Sequence, residues 1–195
     1  PNQVAIALER LRIGNPNAVV AFIDSYAAND LRLGQAAEPF VDWYLKKSIF
    51  KDRSLYSRDF RGDTNLTEYY GNLYGIKAEP VAWHTPEALW PKLRLSPNFL
   101  TAQQFLTGFP PGGCPPQVGR DLDVQTRLGR KGSAWYSAMR DDAIARTDAI
   151  EGIVGSPSGR ISYQAYMDEM CNARLCFSPF GYGELCWRDI EAFQT

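Results

Sequence analysis

The sequence predicts an α/β fold built on a parallel β-sheet, and two stretches of the chain carry that prediction. Residues 18–24 are a continuous apolar run that ends in Asp24, which is typical of a strand buried on both faces of a parallel sheet, and residues 40–46 are predicted as a second strand. A helical segment lies between them, so the order strand, helix, strand predicts a β–α–β unit. Residues 175–192 then combine a buried strand end, a glycine-rich turn and the start of a helix.

The N-terminal elements follow from periodicity and from capping residues. Apolar side chains recur with helical spacing over residues 4–12, and a Gly-Asn-Pro-Asn sequence then ends that helix. The first apolar run ends at Asp24, and the pair Asn29-Asp30 is placed to cap a helix that extends to about Ala37. Residues 40–46 give the next strand.

The middle of the chain separates two predicted domains. A polar and aromatic stretch over residues 47–74 and a short strand at 81–84 lead into a segment rich in proline and glycine. Its densest part, residues 107–118, predicts an interdomain linker or an exposed loop. The boundaries of the two domains are therefore placed at residues 1–110 and 118–195.

The C-terminal domain is predicted to alternate strands and helices. An alternating pattern over 120–127 indicates a strand, a glycine-containing basic loop follows, and 134–150 has the pattern of a helix. The remaining elements are a short strand at 153–154, a helix over 163–172 capped by Ser162, and a strand over 174–178.

Composition excludes some classes of protein. The 195 residues include 21 Lys and Arg and 22 Asp and Glu, and this balance argues against a nucleic-acid partner, which needs a basic face. No apolar run approaches the ~20 residues of a membrane span, and the N-terminus lacks a signal-peptide pattern. Because the chain starts at Pro1 and stops early in a predicted helix, we expect an incomplete fragment of an α/β protein.

The loop and helix at residues 181–191 form the main candidate site. A helix that follows a glycine-rich turn presents free backbone N–H groups to a phosphate, and Arg188 can add a bidentate contact. A carboxylate one turn further on, Glu191, can accept ribose hydroxyls. The alternative is an ordinary strand–loop–helix connection whose charges only cap the helix.

This segment resembles bacterial glycosyltransferases of the GT-B type, and more loosely the C-terminal region of exostosin-like enzymes, through Ser-Pro-Phe-Gly-Tyr-Gly-Glu and Trp-Arg-Asp-Ile-Glu-Ala at residues 178–192. The resemblance implies two Rossmann-like domains with parallel sheets, an acceptor-side domain first and a partial nucleotide-sugar domain second. It places Arg188 at the diphosphate, Glu191 at the ribose, and Gly181, Gly183 and Glu184 near the donor. The spacing from Glu184 to Glu191 is one residue shorter than in the best-known GT-B pattern.

The resemblance also implies an activity and its partners. The donor would be a nucleotide-diphosphate sugar, with no cofactor and no required metal, and the acceptor a glycan or lipid-linked molecule in bacterial surface polysaccharide synthesis. A cytoplasmic location follows, with peripheral attachment of the full-length protein to the inner face of the membrane left open. A non-catalytic Rossmann-like module that binds carbohydrate or protein is the alternative function.

Two further groups of residues are candidates for donor contacts. Arg127 and Lys131, with Arg130 between them and glycines on both sides, form a second possible anion cradle or a solvated basic loop. Asp121 and Asp123 match the metal-binding Asp-x-Asp of other glycosyltransferases, but ion pairs with nearby arginines are the favoured interpretation.

The catalytic base is sought among aspartates, since the acceptor hydroxyl must lose its proton. Asp24 follows a predicted buried strand, where ligands bind in α/β sheets, and Asp30 lies shortly after it. Asp63 is a competitor, and each of these side chains has helix or turn capping as its alternative role. The single histidine, His84, is expected to be structural. Cys171, Cys176 and Cys186 are expected to be buried, reduced thiols.

Overall fold

The structure is a computed structural model, and it describes residues 2–61, 65–81, 85–96, 119–130, 132–157 and 159–195. These residues form a mixed α/β structure with small parallel sheets, as the sequence predicts at this level. The chain divides into two compact units: Pro1–Tyr69 with Lys77–Ala102, and Tyr70–Ile76 with Gln103–Thr195. The predicted linker at 107–118 lies outside the described residues.

In chain order the described helices and strands are α1 (Asn2–Gly14), β1 (Ala21–Asp24), α2 (Gly34–Ala37), β2 (Trp43–Lys46), β3 (Phe60–Arg61), α3 (Asn65–Tyr74), β4 (Pro80–Val81), β5 (Leu93–Leu95), β6 (Leu122–Gln125), α4 (Ala134–Asp148), α5 (Tyr163–Cys171), β7 (Ala173–Cys176) and α6 (Trp187–Phe193). Short 3₁₀ helices cover Glu38–Phe40, Arg53–Ser57 and Glu87–Lys92.

The first unit contains the predicted β–α–β unit. Strands β1 and β2 pair in parallel with Asp24 opposite Lys46, and β5 adds a third parallel strand beside β2. Helix α2 is shorter than predicted and begins at Gly34, because the Asp30 side chain accepts from the Arg32 N–H at 3.2 Å in a local turn. The short strands β3 and β4 pair antiparallel.

The core of the first unit lies where α1, α2 and the parallel sheet meet. Leu31, Tyr44 and Leu89 are fully buried there, and Leu8 joins them from α1. Burying an aliphatic side chain of this size stabilises the fold by about 1.5–3 kcal/mol. This core fixes the carboxyl ends of β1 and β2, where the predicted catalytic aspartates lie.

The second unit has β6 as its central strand. Strand β7 pairs with β6 in parallel, with Leu122 opposite Ala173, and on the other side Val124 forms a parallel bridge with Gly155. The predicted strand at 153–154 is therefore a single bridge rather than a regular strand. After β6 the chain first pairs on one side of this strand, at Gly155, and then returns to pair on the other side as β7. The loops after β6 and β7 therefore meet where the strand order reverses, which is a common place for ligands in α/β sheets.

The cysteines differ from expectation at one position. Cys176 and Cys186 are free, and both are half-buried. Cys171 is disulfide-bonded, so the expectation of a reduced thiol at this residue was wrong. The even number of cysteines was the only sequence signal for that bond, and it does not identify a pair.

Candidate functional site

A cavity of about 850 Å³ lies at the carboxyl end of β6. Its walls are the loop Thr126–Arg130, one side of α4 with Tyr136, Ile144 and Asp148, residues 156–163 with Ser158 outside the description, and Tyr166 on α5. Small-molecule sites typically occupy about 300–1,000 Å³. The cavity therefore has room for a ligand the size of a nucleotide.

Three arginines line this cavity and differ in how they are held. The Arg127 Nε donates to both Glu169 oxygens, at 2.9 and 2.7 Å, and its Nη1 donates to the Gly159 carbonyl at 2.7 Å. Arg130 pairs with Asp141 at 2.9 Å, but both side chains are more than half exposed, so this pair contributes little. Arg160 is exposed and forms no ion pair with the described residues.

Three tyrosines, Tyr136, Tyr163 and Tyr166, give the cavity aromatic surface. The ring of Tyr136 stacks on that of Tyr182 with centroids 4.9 Å apart, and the Tyr182 hydroxyl accepts from the Ser133 N–H at 2.9 Å. Burial raises the pKa of Tyr166, whose hydroxyl donates to Glu191 at 3.1 Å. Such rings offer stacking or edge contacts to a base or a sugar.

At the predicted phosphate-binding site, residues 181–191, the backbone N–H groups of Gly181 and Cys186 are already bonded within the segment. The Cys186 N–H donates to the Asp189 carboxylate at 2.7 Å, so the start of the seven-residue helix α6 carries a side-chain cap. Gly181 and Gly183 are buried, and the Gly181 N–H donates to the Gly183 carbonyl at 3.2 Å. Glu184 is half-buried in the same loop.

Arg188 points toward the carboxyl end of β6 rather than out to solvent. Its guanidinium donates to the Gln125 side-chain oxygen and to the Arg127 carbonyl, and its Cζ lies 5.4 Å from the Tyr166 ring centroid. Glu191 is only 7% exposed and accepts from Tyr166. Both side chains therefore contact residues of the cavity wall, and neither lines the cavity itself. The predicted donor residue Lys131 lies outside the described residues.

The two aspartates predicted as catalytic bases are buried in ion pairs of the first unit. Asp24 is fully buried and accepts from the Tyr44 hydroxyl at 2.6 Å and from the Lys46 ammonium at 2.9 Å. Asp30 is 1% exposed and is held by two Arg32 hydrogen bonds of 2.7 and 2.8 Å. In this conformation neither carboxylate is open to an acceptor hydroxyl.

The Asp-x-Asp pair lies at the start of β6, at the opposite end of that strand from the cavity. Asp123 pairs with Arg174 at 3.1 Å and accepts from the Val154 N–H at 2.8 Å, as the ion-pair interpretation predicts. Asp121 is exposed. Across the described part of the chain, no group of three or more His, Cys, Asp or Glu side chains is placed to hold a metal. The competing base Asp63 and the single histidine, His84, lie outside the described residues.

Sequence reasoning missed Arg160 and the cavity tyrosines. No role is assigned to residues 155–159 from the sequence, although a turn after a strand of a parallel sheet lies at its ligand-binding edge. The tyrosines follow helical spacing, which does not distinguish a core position from the edge of a cavity.

Comparison of the chain with protein-family models, curated proteins and solved structures finds no match. Among the described residues, no helix is long and apolar enough to cross a lipid bilayer.

Proposed function

We propose that this chain binds a nucleotide-diphosphate sugar and transfers the sugar to a glycan or lipid-linked acceptor. The observation that carries the proposal is the cavity of about 850 Å³ at the carboxyl end of β6, with Arg127, Arg130 and Arg160 in its walls. Arginines suit a diphosphate because the guanidinium forms paired hydrogen bonds with phosphate oxygens. Tyr136, Tyr163 and Tyr166 suit the base or the sugar.

The sequence resemblance and the parallel sheets of both units support a GT-B-like enzyme built from two Rossmann-like domains. In the proposed reaction the acceptor oxygen attacks the anomeric carbon, and the bond from that carbon to the diphosphate breaks. The bonding electron pair leaves with the diphosphate, whose charge the cavity arginines stabilise without a metal ion. The acceptor proton passes to a base that is neither Asp24 nor Asp30 in the conformation described.

Calorimetric titration with uridine, guanosine and thymidine diphosphates tests donor binding. We expect at least one of them to bind. The Arg160→Ala variant should weaken that binding by about tenfold or more, because a hydrogen bond to a charged group contributes about 1.5–3 kcal/mol. Arg146→Ala is the matched control, because Arg146 lies on α4 with its side chain 79% exposed and does not line the cavity. No heat with any of the three nucleotides contradicts the proposal.

A non-catalytic carbohydrate- or protein-binding module is the second candidate. The burial of Asp24 and Asp30 favours it, because both predicted bases already serve the fold. A glycan array separates the two functions: binding that survives Arg160→Ala and needs no nucleotide supports the module. We propose a cytoplasmic location for either function, and peripheral attachment of the full-length protein to the membrane for the enzyme.

A further inference from the structure

Arg140 on α4 is a buried cation without a carboxylate partner among the described residues. Its residue exposure is 4%, and it belongs to none of the ion pairs formed by the described side chains. One guanidinium nitrogen donates to the carbonyls of Pro179 and Phe180, at 3.3 and 2.7 Å. The Nε is buried and has no hydrogen-bond partner.

The groups around Arg140 do not neutralise it. The side chains with the largest electrostatic effect on it are Tyr136, Arg188, Cys186 and Tyr70, and of these four only Arg188, another cation, has a full charge at neutral pH. Burial accordingly lowers the pKa of Arg140. Leaving a charge buried and unpaired is costly, so this position requires an anion that the described residues do not supply.

Arg140 is also connected to the cavity. Its Cζ lies 4.8 Å from the ring centroid of Tyr136, which lines the cavity and is stacked on Tyr182. Two further donors of the second unit have no hydrogen-bond partner in the described part of the chain: the Gln125 amide nitrogen, in a fully buried side chain, and the Ser133 hydroxyl at the start of α4. Gln125 and Ser133 flank the loop that forms one wall of the cavity.

We propose that Arg140 is the positioning residue of an anion subsite in this cavity, and that its missing countercharge is a bound phosphate or diphosphate group. The positive charge of the guanidinium attracts the anion across the Tyr136 ring, without direct contact. The guanidinium also holds the loop at Pro179–Phe180 in place through its hydrogen bonds. This inference rests on the proposed function for the identity of the ligand as a nucleotide diphosphate. The need for an anion near Arg140 follows from its burial and does not depend on the proposed function.

Two substitutions separate the charge of Arg140 from its hydrogen bonds. Arg140→Gln keeps a donor for the loop carbonyls and removes the charge, whereas Arg140→Lys keeps the charge. We expect Arg140→Lys to bind inorganic pyrophosphate within about threefold of the unchanged protein, and Arg140→Gln to bind it at least tenfold more weakly. A purely structural role for Arg140 predicts equal affinities in the two variants, and that result overturns the proposal.

A measurement on the unchanged protein covers the case in which a variant does not fold. Pyrophosphate should raise the unfolding temperature of the full chain by several degrees more than sodium chloride at the same ionic strength. An equal response to both salts overturns the proposal. Pyrophosphate binding that depends on the Arg140 charge, without binding of any nucleoside diphosphate, supports the subsite and contradicts the donor assignment. Nucleotide binding that is unchanged in Arg140→Gln contradicts the subsite alone.

Discussion

The buried Asp24–Lys46 pair should control the stability of the first unit. Both side chains are fully buried, and the Lys46 ammonium has one further acceptor nearby, the Tyr26 carbonyl at 3.2 Å. Asp24→Asn keeps the shape of the side chain but removes the negative charge. The variant therefore leaves the buried Lys46 ammonium group without the carboxylate that pairs with it.

The distance sets the scale of the effect. Two unit charges 2.9 Å apart attract by about 6 kcal/mol at an effective dielectric constant of about 20. Lys46 can avoid the full loss by releasing its proton in the folded state, and burial already lowers its pKa from 10.5. Neutralising a lysine at pH 7 costs about 5 kcal/mol, since each pH unit is worth about 1.4 kcal/mol. We therefore expect Asp24→Asn to lose about 3–5 kcal/mol.

Hydrogen exchange of peptides that cover β1 and β2, followed through increasing urea, measures this loss within the first unit. In the variant a neutral folded Lys46 means that the unfolded state binds more protons, so stability should rise between pH 7 and 9. The double variant Asp24→Asn with Lys46→Met should recover most of the loss. A loss below about 1 kcal/mol, or a double variant as unstable as the single one, refutes the reasoning.

Two other predictions concern a surface pair and the cavity loop. Arg12 and the Val20 N–H lower the pKa of Asp42 from 3.8, so its stabilising effect is present above that pH and lost as the pH falls through the lowered value. Urea denaturation should therefore separate Asp42→Asn from the unchanged protein at pH 6, and the difference in stability should shrink as the pH is lowered below 3.8. Gly132→Ala should destabilise the second unit by about 1–3 kcal/mol, because its Cβ would lie 2.5 Å from the Tyr182 hydroxyl. Gly129→Ala in the same loop meets no atom within 4 Å and should melt at the temperature of the unchanged protein.

The sequence predicted helices and strands better than it predicted which side chains contact each other. Apolar runs and capping residues located β1, β2, α4 and α5, because burial on a sheet and helical periodicity are local properties of the chain. The pairing of Asp24 with Lys46 was not predicted, because it depends on the register between two strands. That register brings a strand-end aspartate and a strand-end lysine together and removes both from solvent.

At the candidate site, too, local structure was predicted and side-chain contacts were not. The strand–loop–helix at residues 175–192 was located correctly as a local structure, but local sequence does not reveal that Asp189 caps the helix or that Arg188 reaches Gln125. Arg140 was missed because it precedes Asp141 and Asp142 on a helix, a pattern that normally indicates an exposed face. Its burial depends on the loop at Pro179, which is distant in sequence.

The interaction of Arg127 with Glu169 has a consequence for ligand exchange. Glu169 also accepts from the Ser156 hydroxyl at 2.7 Å, and that hydroxyl accepts from the Thr126 N–H at 2.9 Å. These hydrogen bonds join the two loops at this edge of the sheet, and the entropy of ordering them is lost when the chain folds. If the proposed donor binds in this cavity, its release should be governed by the contacts that it breaks rather than by the opening of a loop.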